Sequence, residues 1–482
     1  MQDVTVHISK PQWSTLAPHL FSRYPNSEWA TWLEFGWRAS ADSLALAVRH
    51  CDLPRAGELD DAVAHVAFQE PYSLRIALQA EKHPFAVGVA HSHPKTCLPI
   101  ASSIDDDMDG YYSDYLSGFT GDRPYPSLIF SEVDGEVIGS GRVWRSGRWH
   151  PVTRIVLEGR AIPTWVAGNP PIEKPILEKR VARLSGAMGR RAAQRLRDAR
   201  IGVVGAGGTG APAIEILARA GVGHLIVVDP DTVDHSNLER VHGAYESDVA
   251  RNRSKVEVAR DHVRAIDPEI SLTGLVGRIP QPQVVDALAQ CNVILGCTDQ
   301  QHSRLALNEI ALRYCIPVID TGVTLEGTDG QVNAQIIQLL HLAAGSACVV
   351  CRGMVDWKRI GQELMSPEEQ LRRRNAALEA RQRGEDPHGY WDDLPQLNTV
   401  GYLTTAAASL AAGCAIGLVT GAFSSGFERA QWTYFATPIE ALAWHEHRNS
   451  HCFCARIEGV GAQCPEEQMV NCPADWQAVR AV

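Results

Sequence analysis

Basic charge is scarce in this sequence. Its 482 residues carry 45 Lys and Arg against 56 Asp and Glu, a formal net charge of −11. A chain whose main partner is nucleic acid ordinarily carries cations in excess to meet phosphate, so no nucleic-acid partner is expected. Long apolar runs are also missing, and the opening MQDVTVHISKPQW has neither the basic nor the apolar region of a secretory signal. The stretch TTAAASLAAGCAIGLVTGAF comes closest to a span, but its Ala and Gly content suits a buried or interface helix better than lipid. A cytoplasmic protein with no membrane partner is the expectation. Cysteine is sparse: twelve residues, with Cys348 and Cys351 forming one close pair and Cys452 and Cys454 another. That spacing suits reduced thiols around one metal ion and speaks against a disulfide framework. Between Arg352 and Gly413 there is no cysteine at all.

What is present divides in two. From Val4 to about Gly159, short strand-like runs (SLALAV, VAHVAF, SLRIAL, PFAVGVAH, SLIF) mix with an amphipathic segment over Trp13 to Phe21, which predicts an α+β domain over residues 1–165. Residues 166–180 lie in TWVAGNPPIEKPILEKR, whose prolines, Gly-Asn pair and mixed charge mark a linker. Over residues 181–482 the texture becomes α/β. RIGVVG, HLIVVD, NVILGC and PVIDTG read as buried strands, and APAIEILARAG and SKVEVARDHVRAI as the helices between them. This alternation predicts a parallel, doubly wound sheet. Between Met365 and Gly389 the charged stretch SPEEQLRRRNAALEARQRGED reads as a solvated helix inside an insertion.

Gly205, Gly207, Gly208 and Gly210 follow the strand IGVV and open a helix, so main-chain N–H groups and the helix N-terminus face an anion there. Asp229 ends the next strand, where an acid meets a ribose hydroxyl. Alone, these features fit a nicotinamide enzyme as well as an ATP enzyme. The polar series Asp231, Asn237, Arg240, Lys255 and Asp299, followed by Arg304, decides between them. A triphosphate attacked by a carboxylate needs cations to offset developing charge and an acid to hold Mg²⁺. In this order the motifs GxGGxG, DxD, SNLER, K and CTD resemble the ThiF/MoeB/HesA and ubiquitin-activating adenylation domain over most of residues 178–355.

The resemblance implies that Asp229 holds the ribose of ATP, that Asn237, Arg240 and Lys255 hold its phosphates, and that Asp299 holds Mg²⁺. It also implies a homodimer in which Arg183, beside Arg180 in RVARL, reaches the partner's ATP; the plain alternative is a solvated basic helix. Cys348, Cys351, Cys452 and Cys454 would hold a structural Zn²⁺, with His451, Cys464 and Cys472 as alternative ligands. Many relatives carry the activated protein as a thioester on a cysteine in the segment that is cysteine-free here; this chain has Asn398-Thr399 instead. The acyl group would then leave as an adenylate, move to a hydroxyl such as Thr399, or pass to a partner's nucleophile.

In the first domain His91 and His93 follow the strand FAVGVA, with Ser102 and Asp105 after them. Two imidazoles one residue apart on an extended segment share a side, and a carboxylate from the next helix completes a three-ligand zinc site. This resembles the JAB/JAMM (Mov34/MPN-like) metallopeptidase motif. It implies a catalytic Zn²⁺ on His91, His93 and Asp105, an oxyanion contact from Ser102, and Glu28 as base, with Glu34 competing and Ser103 with Asp106 as another register. Together the resemblances imply an enzyme that adenylates the C-terminus of a small ubiquitin-like protein and processes it with a zinc peptidase, with a conjugating enzyme as a further partner. The alternatives are adenylation for sulfur transfer in cofactor synthesis, or an inactive docking module in place of the peptidase.

Overall fold

The computed structural model describes every residue except 1, 24, 61–66, 95–96, 173–177, 329, 392–398, 425 and 435–439. Part of the expected linker and Asn398 therefore lie outside the described residues.

A ten-stranded mixed sheet organises residues 3–165. Its order is Arg160–Ile162, Arg154–Leu157, Asp3–Ile8, Ser43–Asp52, Ala30–Ala39, Ala86–Ser92, Tyr125–Val133, Glu136–Arg145 and Thr164–Trp165, with Arg148–Pro151 beside Glu136–Arg145. Its central strands are apolar on both faces because helices cover both. Helix Lys10–Leu20 packs Leu16 and Leu20 against Val6, Leu33, Phe35 and Leu46. On the other face, helices Glu70–Lys82 and Ser103–Thr120 close over Trp32, Val87 and Val89. The run SLRIAL, expected as a strand, is part of helix Glu70–Lys82. Tyr72, Ile76 and Ala80 are buried while Leu74 and Leu78 stay exposed, a spacing of three to four that six residues read in isolation do not reveal. Of VAHVAF only Ala67–Phe68 is described, as a short strand against Leu59–Asp60.

The second sheet has nine strands, in the order Glu440–Trp444, Arg429–Tyr434, Gln331–Leu342, Val318–Thr328, Val293–Gly296, Arg200–Val204, His224–Val228, Ser271–Val276 and Arg480–Ala481. The five from Val318–Thr328 to Ser271–Val276 run parallel, as the helix-strand alternation requires. The flanks are antiparallel, which the doubly wound expectation did not contain: Val318–Thr328 turns back into Gln331–Leu342 over a connection too short for a crossover. Helix Gly401–Thr420 is long and apolar enough to cross a membrane by length and composition. Here Leu403, Ala407, Ala411 and Ala415 pack against the same core as Ile214 and Leu217 of helix Gly210–Arg219. Pro367–Arg383 is the charged helix foreseen, capped by Ser366, whose Oγ accepts the Glu369 N–H, and closed by Gly384 in the left-handed region.

The two sheets are joined by a broad polar seam. Arg38 pairs with Asp286 at 2.5 Å and Arg200 with Asp3 at 2.5 Å, and the buried His7 donates from Nε2 to the carbonyl of Ala289 at 2.9 Å. A segment far down the chain adds to it. Strand Ala30–Ala39 pairs with Ala86–Ser92 only as far as Phe35, and residues 459–462 occupy the edge beyond. The Gly36 N–H donates to Gly459 O, the Ala462 N–H to Trp37 O, and the Trp37 N–H to Gln463 Oε1. The approach leaves no room for a side chain: a Cβ on Gly36 would lie 2.1 Å from the Val460 carbonyl carbon.

Candidate functional site

A cavity of about 320 Å³ opens at the carboxyl ends of the parallel strands, beside Arg200–Val204, where the strand order reverses. Open α/β sheets bind ligands at such a switch point. Gly205, Gly207, Gly208, Asp229, Asp231, Asn237, Arg240, Lys255 and Asp299 all line it, joined by Thr298, Ser303, Arg304 and Thr399. The glycines do different work. Gly205 has φ +96° and lies so close to Cys297 that a Cβ would sit 2.4 Å from its carbonyl oxygen. A Cβ on Gly210, which opens helix Gly210–Arg219 behind the cavity, would strike Gly205 O at 1.7 Å. Gly207 has open space around it. The first two close the turn, and the third leaves the main chain bare toward a ligand.

The carboxylate of Asp229 is buried and accepts the N–H groups of Ala206 at 2.7 Å and Asp231 at 2.8 Å, so it locks the glycine loop to the next strand. Burial pushes its pKa up from the ordinary carboxylate range, against the opposing pull of Lys255. Lys255 Nζ lies 2.9 Å from Asp231 Oδ2 and 3.9 Å from Asp229 Oδ1. Burial favours its neutral form, but Asp229 and Asp231 outweigh burial and hold it charged above the usual lysine range. Asp234 caps the turn His235–Asn237, and Arg240 returns from that turn to donate to the Ser236 carbonyl at 2.7 Å. Beneath the cavity Arg304 approaches the buried Asp320, with Nε 3.7 Å from Oδ2. Asp320 was not singled out from the sequence, although its place at the end of the strand PVID was the available signal.

Arg183 is exposed on helix Glu178–Met188 and does not line its own chain's cavity. Arg180 is different: it pairs with Asp267 at 2.5 Å and donates to the Ile266 carbonyl, which ties the helix to the sheet.

The histidine cluster lies at the end of strand Ala86–Ser92. His91 and His93 share one side, while Ser92 faces the other, where it donates to the Leu20 carbonyl at 2.7 Å. Asp105 comes from helix Ser103–Thr120, and one ligand atom from each of the three residues falls within 4.8 Å of the others. His93 Nδ1 contacts the Leu98 carbonyl at 2.9 Å, which fixes Nδ1 as donor and leaves Nε2 facing the cluster. The buried Nε2 atoms of His91 and His93 face Asp105, at 3.2 Å from Oδ1 and 3.7 Å from Oδ2, and neither has another hydrogen-bond partner among the described residues. Two such imidazole nitrogens beside one carboxylate fit the donor set of a zinc ion with an open fourth position. Despite burial, the two histidines hold the Asp105 pKa far below the usual carboxylate range.

Helix capping selects the register. Ser102 is the N-cap, its Oγ accepting the Asp105 N–H at 3.2 Å while Asp105 Oδ2 accepts the Ser102 N–H at 2.7 Å. Asp106 points away into an ion pair with Arg142. Glu34 is likewise engaged, with Arg49 at 2.8 Å, whereas Glu28 Oε1 lies 4.0 Å from His93 Nε2.

Cys348, Cys351, Cys452 and Cys454 come together, with sulfur separations of 3.6, 3.6 and 3.7 Å. A tetrahedron with Zn–S bonds of about 2.3 Å has edges of about 3.8 Å, so the four thiols match a structural zinc site. His451, Cys464 and Cys472 lie outside this group.

Strand, glycine turn, helix and acidic strand end define a nucleotide-binding α/β unit. The chain belongs to the ThiF family, whose model matches residues 179–454, more than half of the sequence. It is similar to the SAMP-activating enzyme E1 of Haloferax volcanii, 38% identical over 125 residues that cover 26% of this chain and 46% of that protein. It is also similar to the molybdopterin-synthase adenylyltransferase of Salmonella typhimurium, 38% identical over 133 residues covering 27% and 53%. A crystal structure of E. coli MccB with ATP overlaps 57% of this chain and 73% of that one, at 19% identity and TM-score 0.43. The chain thus spans about half the length of these two curated relatives.

Proposed function

We propose that this chain uses ATP to adenylate the C-terminal carboxylate of a small ubiquitin-like or sulfur-carrier protein. The observation that carries this is the cavity at the switch point, which a bare glycine loop lines together with Lys255, Arg240, Asn237 and Asp299. In this reading Asp229 receives the ribose, Asn237, Arg240 and Lys255 take the phosphates, and Asp299 holds Mg²⁺, which would offset phosphate charge. The carboxylate attacks the α-phosphorus, pyrophosphate leaves, and Lys255, already charged between Asp229 and Asp231, meets the charge that develops. Arg183, exposed on its helix, would serve the second site of a homodimer. The names of the relatives support the class of partner: one activates SAMP and another adenylylates molybdopterin synthase. Sulfur transfer is the second reading, to which the cysteine-free stretch from Arg352 to Gly413 is no obstacle.

For residues 1–165 we propose a JAB/JAMM-like zinc peptidase joined by the 166–180 segment to the adenylating unit of 181–482. The buried Nε2 atoms of His91 and His93, with Asp105, support it. Zinc held there would supply a Lewis acid for hydrolysis after a ubiquitin-like C-terminus. Glu28, 4.0 Å from His93 Nε2, would accept a proton, and Ser102, in the capping box with Asp105, holds that ligand in position and would reach the oxyanion by turning its hydroxyl. A conjugating enzyme and a cytoplasmic setting belong to this proposal.

The test is pyrophosphate–ATP exchange with a panel of small carrier proteins. Exchange that needs the carrier's free C-terminus and disappears in Asp299→Ala is expected; exchange that persists in that variant would overturn the assignment.

A further inference from the structure

The cavity wall that carries Asp299 and Arg304 also carries a hydroxyl with a built relay behind it. Ser303 lines the cavity, is itself buried, and lies with its Oγ 3.3 Å from His302 Nε2. The opposite ring nitrogen, Nδ1, is 3.0 Å from Glu363 Oε2. His302 is 1% exposed, so no solvent competes for either nitrogen. Glu363 is held in turn by Arg359, Nε to Oε1 at 2.9 Å, and Arg359 also donates to the Asp299 carbonyl at 3.0 Å. The relay is therefore anchored to the segment that carries the Mg²⁺ candidate.

The polarity of this chain of contacts is that of an activated nucleophile. With Nδ1–H donated to a carboxylate, Nε2 is left as an acceptor facing the hydroxyl. Glu363 is ionised: burial works against this, but the hydrogen bonds from His302, Gln301 and Arg359 prevail and hold its pKa below the usual range. Capping explains only part of the arrangement. Glu363 accepts the N–H groups of Gln301 and His302 at the start of helix Gln301–Arg313, and a carboxylate alone suffices for that. An imidazole set between that carboxylate and a cavity hydroxyl adds nothing to a cap. Thr399 also lines the cavity, but Ser303 is the cavity hydroxyl that has an imidazole against it.

We propose that Ser303 is an acyl acceptor, taking the carrier protein's C-terminal acyl group from the adenylate as an oxyester, with His302 as base and Glu363 as its orienting carboxylate. This rests on the adenylation reading. Ser303 Oγ forms a bond to the acyl carbon, the bond from that carbon to the AMP phosphate oxygen breaks, and AMP leaves with the electron pair. The hydroxyl proton passes to His302 Nε2. An ester on Ser303 would hold the acyl group without a cysteine in the segment from Arg352 to Gly413.

The test uses the full chain and a fluorophosphonate probe, which reacts with activated serine and requires no knowledge of the carrier. Labelling should map to Ser303, be blocked by ATP, vanish in Ser303→Ala and Ser303→Cys, and slow roughly a hundredfold in His302→Gln and Glu363→Gln. ATP binding is measured calorimetrically on the same samples. A protein that binds ATP but is not labelled at Ser303, or is labelled equally in Ser303→Ala, overturns the serine proposal and leaves adenylation standing. A protein that neither binds ATP nor is labelled overturns both.

Discussion

The nucleotide cavity and the histidine cluster are built on opposite plans. The cavity is distributed: a main-chain loop, two strand ends, a capped turn and a helix start each supply one or two groups, so its arrangement depends on the whole parallel sheet. The histidine cluster is concentrated: one strand end gives two imidazoles, and one helix N-terminus gives the carboxylate, which a capping box holds. A distributed site leaves many signals along the sequence in a fixed order. A concentrated one leaves few, and its identity depends on register.

Four experiments sharpen or break this contrast. The largest effect is expected at the cavity, where Asp299→Ala should lower pyrophosphate exchange by roughly 10²–10³-fold while zinc content is unchanged. A matching loss of zinc would show that the two sites are not independent.

Next comes acid. His7 is buried at the seam, and burial, partly offset by its hydrogen bond to Ala289, lowers its pKa from 6.5 to about 4. A folded pKa below the unfolded one means stability that is complete above about pH 6.5 and is lost as pH falls toward 4, by about 3 kcal/mol at most. Thermal melts should show that decline, and His7→Gln should flatten it. A wild-type curve as flat as the variant's would remove His7 from the account.

At the histidine cluster, the wild-type chain should bind two zinc ions by elemental analysis, one for each group of ligands. Asp105→Ala should remove one and also cost about 1 kcal/mol through the lost cap, whereas His91→Ala should remove the ion alone. Glu28→Ala should leave both ions bound. Equal destabilisation by Asp105→Ala and His91→Ala would deny the carboxylate its double role.

The smallest signal is complementation. Mixed Arg183→Ala and Lys255→Ala chains should regain about a quarter of wild-type exchange, because half the dimers are mixed and each has one intact site. No recovery in verified mixed dimers would place Arg183 on a solvated face.

The order of the cavity motifs was legible because each carries chemistry that its position in an α/β unit demands. Asp229 needs a strand end, and Lys255 needs the start of the next helix; both were placed from the sequence and both reach the cavity. For the histidine cluster, sequence left Glu28 against Glu34 and Asp105 against Asp106 open, because the choice depends on Arg49 and Arg142, arginines distant in sequence that engage the losing candidate of each pair. Glu363 behind Ser303 was illegible for a different reason: it lies between the Cys348–Cys351 pair and the charged stretch that starts at Met365, in a segment with no motif. The antiparallel flank of the second sheet and the helix over SLRIAL were missed because a short apolar run has no period of its own.

The seam between the sheets also has a history in time. Gln463, which accepts the Trp37 N–H, lies 426 residues further along the chain. At a synthesis rate of about 5–20 residues per second, that partner emerges roughly 20 to 85 s after the strand it completes. Through that interval the edge at Gly36–Arg38 has no partner from residues 459–462, and toward its end Cys348 and Cys351 wait without Cys452 and Cys454. The ribosome therefore delivers the first unit with that edge open, and although Asp286 and Ala289 can join the seam earlier, its tail contacts form only once residues 459–463 emerge. Chaperone capture of nascent chains should accordingly be greatest for those halted shortly before residue 452.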